Sequence, residues 1–89
     1  MITLSEAFRL CKISNSESVY LRAATNNKYE DHYFWSSKLI ELVDMKKINV
    51  VGIAPRFERY GNEFFGMQFR VQGITDKELR DLSFRAAMK

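Results

Sequence analysis

INVVGIAPRF, residues 48–57, is followed by ERYGN (58–62) and EFFGMQFRVQ (63–72). Two runs rich in β-branched and aromatic residues flank a short polar loop containing glycine, which is the signature of a β-hairpin. In the second run Phe65, Met67, Phe69 and Val71 alternate with Phe64, Gly66, Gln68, Arg70 and Gln72, so the odd positions form the apolar face. On the first run Val51, Ile53, Pro55 and Phe57 are the matching set. Placing Phe57 opposite Glu63 sets Val51 against Phe69, Ile53 against Met67 and Pro55 against Phe65. A slip of one residue would mix apolar and polar faces and is disfavoured. The other face then carries Val50 with Arg70, Gly52 with Gln68, Ala54 with Gly66, and Arg56 with Phe64. Pro55 has no N–H to donate to a ladder, so its strand is expected to be bulged or at an edge there.

Working outward, Thr75 and Glu78 form a capping box for a C-terminal helix over about 75–87, with Ile74 stapled to Leu79. Leu79, Leu82 and Ala86 continue its apolar stripe, with Phe84 beside it. Thr3 and Glu6 make the same box at the start of a helix over 1–13, where Leu4, Ala7, Phe8 and Cys11 share a face. Residues 19–23 alternate weakly, with Val19 and Leu21 on one side, and read as a third strand antiparallel to the hairpin. Residues 25–32 are polar and without periodicity, a loop. The aromatic run Tyr33, Phe34, Trp35 prefers burial, and a middle helix over about 36–44 follows, capped by Ser36 with Trp35 stapled to Ile40. A strand over 33–43 is the alternative. The expected fold is α+β: one domain over residues 1–89, three helices, and a three-stranded antiparallel sheet centred on the 48–72 hairpin.

With 89 residues, 46% hydrophobic and 28% charged, the chain has the composition of an ordinary globular domain with one core. The net charge of +3 favours an acidic partner only weakly, because positive and negative residues are interspersed. The one cysteine, Cys11, has no intramolecular disulfide partner, and the N-terminal residues lack a signal-peptide pattern. No apolar run approaches membrane-spanning length, and a cytoplasmic protein is expected.

A search for chemistry leaves little. The one histidine, His32, stands in a loop beside Glu30 and Asp31. Three consecutive residues seldom converge on one ion, and Cys11 belongs to an apolar stripe, so neither a metal site nor a nucleophile is read here. No phosphate-binding loop or dinucleotide fingerprint occurs, and no cofactor and no enzymatic activity are expected. The candidate binding residues are Arg56, Phe64, Gln68 and Arg70 on the polar hairpin face, with Arg59 and Tyr60 at the loop tip. They suit a non-enzymatic module that occupies a partner protein's surface, as an inhibitor, adaptor or regulator does. The alternative is a nucleic-acid binder, since guanidinium groups, an amide and a stacking ring are the kit used on single strands. Packing beneath the C-terminal helix also explains the small residues at 52, 54 and 66, and from sequence that reading is preferred to a ligand.

Overall fold

The computed structural model describes residues 1–57 and 63–88. In chain order the elements are β1 (Ile2–Thr3), α1 (Leu4–Leu10), β2 (Ser18–Ala23), β3 (His32–Trp35), α2 (Ser36–Leu42), β4 (Asn49–Phe57), β5 (Phe64–Gln72) and α3 (Asp76–Ala87). The fold is α+β, but its sheet has five strands in the order β1-β4-β5-β2-β3 rather than three. The expected antiparallel partner β2 runs parallel to β5, while all the other neighbours are antiparallel. Alternation in β2 could not decide this, because parallel and antiparallel neighbours accept the same facing residues. Two strands are additional: β1, only two residues long, escaped the sequence, while β3, His32–Trp35, takes up the start of the alternative strand over 33–43, whose remainder is helical.

The strand directions explain where the helices go. β1 and β2 point the same way, as do β3 and β4, so α1 and α2 are crossovers between parallel strands that are separated in the sheet. Both pack against one face. Leu4, Ala7 and Phe8 of α1, Leu39 of α2, and Leu79 and Leu82 of α3 form one buried cluster with Val19, Leu21, Ala23, Phe34, Val50, Phe69 and Val71 of the strands. At its centre the Phe8 and Phe69 rings lie 5.8 Å apart. The helix meant to cover the polar hairpin face is therefore on the other side: α3 packs on β2 and β3 beside α1 and α2.

Both expected capping boxes form. Thr3 Oγ1 accepts from Glu6 N at 3.1 Å, and Thr75 Oγ1 accepts from Glu78 N at 3.2 Å. The first helix is shorter than its apolar stripe, because the chain turns at Lys12, whose φ is 54°, and Ile13 N donates to Phe8 O. Cys11 is half-buried against the core. Ser36 does not cap α2. Trp35 is the cap residue, and the buried Ser36 hydroxyl donates to Ser14 O, tying α2 to the turn before β2. Nor does Trp35 lie stapled in the core, since only Phe34 of the aromatic run is buried, and Ile40 is exposed. Phe84 also faces outward.

Over residues 52–56 and 66–70 the hairpin keeps the expected faces but not the expected pairing, and a second slip between Arg56 and Phe57 sets Phe57 against Phe64. Ile53, not Val51, opposes Phe69, and Pro55 opposes Met67, a shift of two residues that preserves parity. The pairing slips at Val51, which puts Val50 opposite Val71 in the core instead of beside Arg70. A bulge inserts one unpaired residue and can re-aim its neighbours, which periodicity alone does not foresee. Pro55 is accommodated because β1 pairs only with Asn49 and Val50, leaving that half of β4 at an edge.

Candidate binding face

The face of the sheet opposite the helices is built by the residues that alternate with the core. On β2 these are Ser18, Tyr20 and Arg22, each half-buried between buried neighbours. Register sets them in rows across the sheet. Trp35 pairs with Ser18, and Arg56 of β4 pairs with Gly66. Tyr33 pairs with Tyr20, Tyr20 with Gln68, and Gln68 with Ala54. Arg22 pairs with Arg70, and Arg70 with Gly52. Among the described residues no helix covers these rows, because α1, α2 and α3 are committed to the other side.

Aromatic rings line one side of this face. The Tyr20 and Tyr33 centroids are 5.3 Å apart, and those of Tyr33 and Trp35 are 5.9 Å apart. Both spacings lie in the range of favourable tilted and edge-to-face contacts. The Tyr33 hydroxyl is 3.1 Å from Ser18 Oγ, which fixes the middle ring. Tyr33 and Trp35 remain 42% and 50% exposed, so ring surface is presented to solvent. Cations and amides line the other side. The Arg56 guanidinium lies over the Tyr20 ring at 4.4 Å, and Arg22 lies over Tyr29 at 4.8 Å. Arg22, Gly52, Ala54, Gln68 and Arg70 border a shallow depression of about 180 Å³. That volume is below the range of small-molecule pockets and suits a flat group laid on the sheet.

One acidic side chain belongs to the face. Asp31, in the loop before β3, accepts from Arg56 Nη1 and, at 3.2 Å, from Gln68 Nε2. Its neighbours point elsewhere: His32 Nε2 is 3.2 Å from Asp76 Oδ1, and Glu30 is 3.6 Å from Arg80. Glu30, Asp31 and His32 therefore share no partner. Among the described residues, no three His, Cys, Asp or Glu side chains are placed to hold a metal ion.

Of the residues proposed from sequence, Arg56, Gln68 and Arg70 come together on this face. Phe64 does not join them. It pairs with Phe57 toward the far end of the hairpin, the two rings 6.0 Å apart. Arg59 and Tyr60 fall outside the described residues. Gly66 is small for a reason unrelated to ligands or helices: a Cβ there would meet Ser18 O at 2.3 Å, and its φ is +144°. Sequence reasoning missed Tyr20, Arg22, Asp31, Tyr33 and Trp35. The alternation of Tyr20 and Arg22 with Val19 and Leu21 was a usable signal, as was Tyr33 and Trp35 flanking Phe34. Asp31 gave no such signal, because a loop residue reaches the face only through the tertiary fold.

No protein-family model matches the chain, and neither the curated proteins nor the solved structures provide a match. No helix among the described residues is long and apolar enough to cross a membrane.

Proposed function

We propose that the protein is a non-enzymatic binding module whose uncovered sheet face takes a single-stranded nucleic acid. The observation that carries this reading is the row Tyr20, Tyr33 and Trp35 beside Arg22, Arg56 and Arg70 on the face that α1, α2 and α3 leave open. Every base has a π-face, so exposed rings on a flat sheet accept successive bases without demanding a sequence. Arginines alongside suit the phosphates, and Gln68 supplies an amide for a base edge. A duplex offers no free base face to such a row, which is why the single strand is preferred.

The three arginines of the face set the expected strength. Three phosphate contacts on a single strand give a slope of log affinity against log salt of about −2, so affinity falls about 20-fold between about 50 and 200 mM salt. Fluorescence anisotropy with a labelled oligothymidylate of about 10 nucleotides, and the matching oligouridylate, tests the reading. Trp35→Ala and Tyr33→Ala are each expected to weaken binding about 5- to 150-fold, the value of one stacked base. Absence of binding to either oligonucleotide at low salt would remove the reading.

A protein partner is the second reading. It draws on Ile53, Phe57, Phe64 and Phe65, apolar side chains exposed toward the far end of the hairpin. Nothing about those side chains specifies an occupant, so this reading stands behind the one supported by both stacking and charge.

A further inference from the structure

The β2–β3 loop, residues 24–31, engages two of the three arginines of the open face. Its Tyr29 ring lies beneath Arg22 at 4.8 Å, and its Asp31 carboxylate accepts from Arg56. Arg70 makes no ion pair among the described residues. The Asp31 contact has the form of an oxyanion site. Donors from two neighbouring strands, Arg56 of β4 and Gln68 of β5, converge on the two oxygens of one carboxylate. The carboxylate is only 14% exposed, whereas the arginine remains 39% exposed and reachable from solvent. The same guanidinium covers the Tyr20 ring, so this one contact closes both a cation and a stacking surface.

We propose that Arg56 and Gln68 form the phosphate subsite of the face, and that Asp31 is its internal competitor, displaced when a strand binds. This rests on the single-strand reading and adds its regulation. A phosphate presents the same fork of oxygens as the carboxylate, so Arg56 and Gln68 exchange one for the other without new donors. Movement of Arg56 toward the phosphate uncovers Tyr20, extending the aromatic row from two presented rings to three. The loop thus subtracts the free energy of its own ion pair from every binding event.

Asp31→Asn keeps the shape and removes the charge. It is expected to tighten oligothymidylate binding about three- to tenfold, the range of a part-exposed charge-assisted pair. The salt slope should stay close to that of the wild type, because Arg56 meets the phosphate in both complexes. Glu30→Gln removes a charge from the same loop outside the subsite and is expected to change affinity little. In an Arg56→Gln background, Asp31→Asn should no longer tighten binding. Thermal unfolding of each variant verifies the fold, and Asp31→Ser serves if the Asn variant is unstable.

Unchanged or weaker binding by Asp31→Asn would overturn the inference, since Asp31 would then be orienting Arg56 for the ligand. Equal tightening by Asp31→Asn and Glu30→Gln would overturn it too, as a general effect of charge. In both cases binding by the wild-type protein leaves the proposed function standing. If neither wild type nor Asp31→Asn binds, the proposed function fails and the inference falls with it.

Discussion

The two faces of the sheet are made by the same strands and are opposite in almost every respect. On β2, Val19, Leu21 and Ala23 are buried, while the intervening Ser18, Tyr20 and Arg22 are half-exposed. On β5, Phe69 and Val71 enter the core while Gln68 and Arg70 do not. One face is closed by three helices and gains its stability from apolar surface removed from water. The other is covered by none of these three helices and is ordered by specific contacts, ring on ring, guanidinium on ring, and carboxylate between arginine and amide. The difference separates work within a single strand. Alternate residues build the fold, and those between them are released from packing and can present chemistry.

The largest expected effect tests the closed face. Phe69→Ala deletes a fully buried ring against Phe8 and should destabilise the protein by about 3–5 kcal/mol. Chemical denaturation measures it, and a loss under about 1 kcal/mol would mean that the core does not close over β5.

Gly66 should break the comparison, because it lies on the open face yet behaves like the core. Its φ of +144° and the 2.3 Å approach of Ser18 O to a would-be Cβ leave no place for a side chain. Gly66→Ala should cost at least about 1–3 kcal/mol in strain, with the β2–β5 pairing disturbed. Gly52→Ala, whose Cβ would make ordinary contact with Arg70 Cβ at 3.5 Å, is the matched control. Equal midpoints for the two variants would refute the assigned geometry.

The smallest effect sharpens the contrast from the other side. Arg70 is exposed and outside any ion pair among the described residues, so Arg70→Ala should move stability by no more than about 0.5 kcal/mol. The same variant should lower the salt slope of oligonucleotide binding by about 0.7. A large drop in thermal midpoint would show instead that the Arg70 stem is part of the packing.

Much of this molecule was readable before any coordinates. Capping boxes are local, spanning four residues, so Thr3 with Glu6 and Thr75 with Glu78 were found in place. The faces of the hairpin's middle, residues 52–56 and 66–70, followed from a period of two, which survives a two-residue register shift. Three residues of the open face, Arg56, Gln68 and Arg70, were legible for that reason.

What the chain itself determined, then, are the quantities fixed by neighbours a few residues apart: helix starts, strand alternation, and which side chains share a face. Tertiary structure alone decided the partners. The sense of the β2–β5 pairing, the bulge at Val51, the two-residue strand β1, and the side to which α3 folds all depend on contacts between distant segments. Their energies come from closing one shared core, to which no single segment's pattern points. Whether the polar face would lie under a helix or open to solvent was such a question. Asp31 reaching Arg56 across 25 positions of sequence was another.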